Sequence, residues 1–141
     1  MKISKERKIE LFIVGLLSII ILTSFVNLRS VHVKFYNKTG ENIDSLLIGN
    51  TLIGDLEKDN YTKKIDFKEF LFDGNTPYEK ISGIVNQKKI HQLNWSWCGT
   101  ERNIKSKGSY VFYIKKATDN DGNMCLYLVE HNKKMFWEET K

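Results

Sequence analysis

From residue 11 to residue 28 the chain reads LFIVGLLSIIILTSFVNL, eighteen positions without a charge; beyond residue 30 the pattern changes to short runs in which apolar and polar side chains alternate. The first pattern predicts a helix. Apolar residues surround its axis without the polar stripe that a helix buried in a core normally keeps. At about 1.5 Å per residue it would reach roughly 27 Å, close to the hydrocarbon thickness of a bilayer. Preceded by Lys2, Lys5, Arg7 and Lys8, it reads as a transmembrane signal-anchor helix, with residues 1–10 as a short basic cytoplasmic tail. A cleaved secretory signal is the rival reading. No small-x-small site follows the run, however, because Ser24 has Leu22 two positions before it and Ser30 has Leu28. The run is also longer than the usual apolar region of about 7 to 15 residues in a signal peptide. The expectation is a single-pass cell-membrane protein with a cytoplasmic N-terminus and an extracytoplasmic C-terminal domain, secreted or periplasmic if the segment is cleaved.

The second pattern predicts strands. Val31, Val33 and Phe35 alternate with His32, Lys34 and Tyr36, and the turn Asn37-Lys38-Thr39-Gly40 follows. That is the signature of a half-buried strand. Similar runs cover residues 43–48, 51–56, 61–67, 70–72, 81–85, 90–97, 109–115 and 124–131, separated by Asn, Asp and Gly clusters. Asp73-Gly74-Asn75-Thr76-Pro77 is the strongest loop signal, and Asn86-Gln87-Lys88-Lys89 reads as a hairpin connection. Strands spaced this way, with no helical periodicity between them, predict an all-β domain over residues 30–131. The expected fold is an antiparallel immunoglobulin-like β-sandwich of about 7–8 strands, preceded by one N-terminal transmembrane helix and followed by a tail at residues 132–141.

Composition supports this layout. One Pro and twelve Asn suit strands joined by tight turns. The net charge of +5 is concentrated at the start: residues 30–141 hold 17 basic and 15 acidic side chains. Nucleic-acid binding needs a concentrated basic stripe, so no nucleic-acid partner is expected. Cys98 and Cys125 are the only cysteines, and in an exported domain they form a natural disulfide candidate; two buried free thiols are the alternative.

Four features carry candidate chemistry. On a strand, Trp95 and Trp97 share a face with His91 and Leu93, which is how a core stripe is written. An exposed Trp pair could instead stack on a sugar or an apolar partner, with Glu101 and His91 nearby. Cys98 lacks a base in any recognisable pairing, so no catalytic residue is expected. Asp119, Asp121, Asn123 and Glu130 fall at oxygen-ligand positions of a calcium loop, but Met124 stands where Gly is required and Glu130 lies in a strand. A hairpin turn is the better reading, and neither a metal nor a cofactor is expected. Finally, Met135-Phe136-Trp137 is an apolar triplet that would fold back to cover an edge strand or reach a partner.

The order Val31-x-Val33-x-Phe35-x-Asn37-x-Thr39-Gly40, the Ile53 to Leu56 step, Trp97-Cys98-Gly99-Thr100 and Lys107-Gly108-Ser109-Tyr110-Val111-Phe112 resembles small exported bacterial β-sandwich proteins of uncharacterised function. The resemblance implies a fold and an address, with no activity attached. The expected function is non-enzymatic: a β-domain that binds a protein partner in an immunity-type or envelope-accessory role, besides the membrane that its N-terminal anchor would engage. The alternative is a ligand- or carbohydrate-binding, or hydrolytic, domain built on Trp95, Trp97, Glu101 and His91, with Trp137 as a further surface aromatic.

Overall fold

In the computed structural model, which describes residues 4–27, 30–95, 101–135 and 138, the alternation seen in the sequence becomes the two faces of one curled sheet. A helix, α1 (Lys5–Asn27), comes first. It is followed by β1 (Val31–Asn37), β2 (Ile43–Ile48), β3 (Thr51–Leu56), β4 (Ile65–Phe67), β5 (Phe70–Asp73) and β6 (Thr76–Pro77). The remaining strands are β7 (Ile81–Val85), β8 (Lys88–Gln92), β9 (Arg102–Lys105), β10 (Gly108–Thr118) and β11 (Met124–Glu130). Eight of them form a sheet in the order β3-β2-β7-β8-β11-β10-β1-β4, and β6-β5-β9 form a second, smaller sheet.

This corrects the expected immunoglobulin-like antiparallel sandwich. The large sheet is mixed, since β1 runs parallel to β10 and β8 parallel to β11. Alternation reports which face of a strand is buried, and it carries no information about a strand's neighbour or direction. The expected strand over residues 61–67 shrinks to β4 plus an isolated bridge from Tyr61 to Tyr36. The expected four-residue connection after β7 shortens to Asn86 and Gln87. Both have positive φ, 50° and 64°, as a two-residue hairpin turn of the primed type requires.

The helix also differs from expectation. Among the described residues no helix is long and apolar enough to cross a membrane. Five of the first six residues of α1, Lys5, Glu6, Arg7, Lys8 and Glu10, are charged. The uncharged part, residues 11–27, reaches about 26 Å, short of the roughly 30 Å hydrocarbon core. The transmembrane signal-anchor, the single-pass cell-membrane localisation and the extracytoplasmic placement derived from it are therefore not retained.

The core lies on the concave face of the large sheet. Val31, Val33 and Phe35 of β1, Phe112 and Ile114 of β10, Leu126 and Leu128 of β11, and Ile43, Leu46 and Ile48 of β2 belong to one buried cluster. The small sheet closes it through Phe70 and Phe72. The Phe70 ring centroid lies 5.2 Å from those of Phe67 and Phe112, and Phe72 lies 5.9 Å from Phe112. Gly83 is required where β7 meets β2, because a methyl group there would come within 2.5 Å of Ile43 Cγ2.

At the end of β1 the fully buried Asn37 joins three segments. Its Nδ2 donates to the carbonyls of Glu41 (2.8 Å), Leu56 (3.0 Å) and Glu57 (3.1 Å), and its Oδ1 accepts from Thr39 N (3.0 Å) and Thr39 Oγ1 (2.7 Å). Truncating it would leave several buried polar groups unpaired, each at a cost of about 1–3 kcal/mol. We expect Asn37→Ala to lose about 3 kcal/mol of unfolding free energy in urea titration. Asn37→Asp, which turns a carboxylate toward three carbonyl oxygens, should be more destabilised still.

Candidate functional site

The convex face of β1 carries His32, Lys34 and Tyr36, and the parallel register sets Tyr36 beside Tyr113 of β10. The segment after β3 then brings a third tyrosine alongside. Asn37 N donates to Asn60 O, Asp59 N donates to Asn37 O, and Thr62 bonds Phe35 through both its backbone N and its Oγ1. Tyr61, held between these anchors, stacks on Tyr36 with ring centroids 4.2 Å apart and an interplanar angle of 23°. Lys34 Nζ sits 4.5 Å from the Tyr61 centroid, and Lys38 Nζ sits 4.6 Å from that of Tyr36. Two groups cannot occupy one ring face, so the lysines take the outer faces of the stacked pair. The order is Lys34, Tyr61, Tyr36, Lys38.

The run continues sideways. Tyr36 lies 5.6 Å from Tyr113, and Tyr113 lies 5.0 Å edge-on to His131. Hydrogen bonding to Tyr36 raises the Lys38 pKa; burial opposes this, while the Asp59 carboxylate 4.0 Å away and Tyr113 add to it. Lys38 therefore stays cationic well above neutral pH. Tyr61, Lys34, Lys38 and His131 are exposed, so the strip presents ring edges, hydroxyls and ammonium groups to solvent.

Next to this strip the convex face is covered. Leu93, Cys125, Tyr127, Val129 and Met135 form a second buried cluster, with Trp95, Tyr113 and Ala117 against it. Glu138 clasps the tail in place, accepting from Lys115 Nζ (2.5 Å), Tyr127 Oη (3.1 Å) and Met135 N (2.7 Å). The tail thus covers a sheet face, where cover for an edge strand was expected. Burial raises the Glu138 pKa, but the bonds from Lys115, Met135 N and Tyr127 outweigh it and hold the carboxyl below its ordinary range.

The residues singled out by sequence fall in different places. Trp95 is half-buried, 4.4 Å edge-on to Tyr78, whose ring also carries the Arg102 guanidinium at 4.5 Å. Glu101 is exposed ahead of β9, and its carbonyl accepts from Gly74 N. His91 is exposed on β8, opposite Ser82 and Cys125. His91 lines one cavity and Trp95 an adjoining one, the two sharing Lys80, Gln92 and Asn94. Trp97, Cys98 and Trp137 lie outside the described residues.

The expected disulfide is not found: Cys125 is a free, buried thiol. Its Sγ points to Asp119 Oδ2 and Asn123 O, each at 3.7 Å, and burial followed by the Asp119 carboxylate raises its pKa. Asp119 itself is committed to the β10–β11 turn, where Oδ1 accepts from Asp121 N and Asn123 N. Those bonds, that from Asn123 N first, lower its pKa against the effect of burial. Among the described residues no group of three His, Cys, Asp or Glu side chains is placed to hold a metal ion. The strip of Lys34, Tyr61, Tyr36, Lys38, Tyr113 and His131 was not singled out by sequence. Its β1 members are visible as the polar phase of an alternation, but their neighbours depend on strand pairing. In comparison with known proteins, the chain matches no family, no curated protein and no solved structure.

Two outcomes follow from these titrating groups. Alkylation of Cys125 in the native protein, read by peptide mass spectrometry, should show a midpoint displaced above that of an ordinary thiol, and Asp119→Asn should move it back down. For Glu138, whose folded pKa is depressed, the stabilisation is full above the unfolded pKa and disappears as pH falls through the folded one. Glu138→Gln should therefore lose about 1 kcal/mol at neutral pH and show a flatter decline of stability in acid.

Proposed function

We propose that this protein is a non-enzymatic binding module that engages a protein partner through the lysine–tyrosine strip on β1 and β10. The observation that carries the reading is the sandwich of Lys34, Tyr61, Tyr36 and Lys38. Binding of sugars or bases by stacking requires an open ring face, and in this pair each face is taken by the other ring or by a lysine. What the strip offers is the hydroxyls and ring edges of tyrosine, a residue enriched at protein interfaces, flanked by lysine ammonium groups. The paired lysines favour a partner surface bearing carboxylates, and such a contact weakens as salt screens it.

Photocrosslinking in the full chain tests this. A photoreactive phenylalanine analogue at position 61 should give one predominant protein adduct, lost in the Lys34→Glu/Lys38→Glu double variant. The same probe at Asn120, on the far β10–β11 turn, should give none. No adduct at position 61, or equal labelling from both positions, overturns the reading.

A further inference from the structure

Beyond the aromatic strip, on the part of the convex face formed by β2, β7 and β8, lies a cavity of about 370 Å³. Register explains its lining. Ser82 pairs with His91; Lys89 stands two residues from His91 along β8, therefore on the same face, and Lys80 lies just ahead of β7 and also lines the cavity. The turn after β2 adds Asn50, and the segment leaving β8 adds Asn94. No carboxylate is among the described lining residues, and the acid at the cavity wall is Glu79, whose Oε1 lies 3.2 Å from where a side chain on the lining Gly49 would begin. The nearest acid in sequence, Glu79, is occupied: its Oε2 accepts from Leu71 N at 2.8 Å and its Oε1 from Lys80 N at 3.2 Å. Among the described residues the side chains of Lys80, Lys89 and His91 have no ion-pair or hydrogen-bond partner, whereas Lys115, Lys116 and Lys133 each meet a glutamate.

We infer that this cavity binds a phosphate group, with Lys80 and Lys89 neutralising its charge and His91, Ser82, Asn50 and Asn94 donating to its oxygens. Two unpaired ammonium groups at opposite ends of a floor of neutral donors suit a dianion with several acceptor oxygens. The space is larger than phosphate alone and falls at the lower end of the range for small-molecule sites. A phosphomonoester therefore fits, the ester group lying over Leu47 at the apolar edge. The inference is independent of the proposed protein contact, because the two surfaces share no residue.

Amide NMR titration of the full chain with inorganic phosphate, glucose 6-phosphate and a phosphoserine peptide, with glucose as control, tests it. The expected result is saturable shifts at Ser82, Lys89 and His91 with inorganic phosphate, and none with glucose. Tighter binding of glucose 6-phosphate than of the peptide would identify a free phosphomonoester as the source, and the reverse a phosphorylated protein; both support the site. Lys80→Ala/Lys89→Ala should weaken phosphate binding by at least about tenfold, and Ser82→Ala should weaken it less while leaving the strand intact. Lys63→Ala/Lys64→Ala should change nothing. Absence of saturation at about 20 mM phosphate, a range corresponding to negligible affinity, or equal binding by the Lys80→Ala/Lys89→Ala variant, would overturn the inference.

Discussion

The parallel pairing of β1 with β10 places Phe35 beside Phe112 on the concave face and Tyr36 beside Tyr113 on the convex one. Because side chains alternate with a period of two, a slip of one residue would exchange these faces and send the tyrosines into the core. Burial of Phe35 and Phe112, both fully enclosed, therefore holds the convex surface in register as well. The interior contacts that stabilise the domain and the exterior contacts that build the lysine–tyrosine strip follow from a single alignment of two strands.

Around that alignment the convex face divides into three parts. At one end the β1–β10 strip carries stacked tyrosines between lysines. In the middle, over β10 and β11, the tail and the segment after β8 bury Tyr127, Val129 and Cys125, beside a cavity lined by Leu93, Asn94, Ala117, Tyr127 and Glu138. At the other end, β2, β7 and β8 form the cationic cavity around Ser82 and His91. Exposed cation–π contacts are worth only about 0.5–1 kcal/mol each, so the strip adds little to stability compared with the aromatic core. Helix α1 stands apart from this organisation: its large apolar side chains, among them Leu11, Phe12 and Leu22, are more than half exposed.

Much of the strand pattern was legible in advance. The inward residues Val31, Val33 and Phe35, Ile43 and Ile48, and Ile81 and Val85 were marked by alternation or by β-branched runs between turn signals, and they are buried. The short strand β9 was missed, because Arg102-Asn103-Ile104-Lys105 is polar and exposed, so it shows no burial period; it is held by pairing with β5. Trp95, expected on the buried face of a strand, stands half-buried beyond the end of β8, edge-on to Tyr78. The cysteine pair misled because sequence shows two thiols and no distance between them, and Cys125 lies instead against Asp119.

Taken alone, the chain determined its local periods: an uninterrupted apolar helical run, strands with one buried face, and turns where Asn, Asp and Gly relax the backbone. These depend on residues within a few positions of one another. Tertiary structure alone decided that β1 lies between β10 and β4, that Tyr61 stacks on Tyr36, and that Lys80, Lys89 and His91 share one cavity. Each of those joins segments far apart in sequence, and such pairings arise only when many strands bury a common core at once, a constraint that no local window contains.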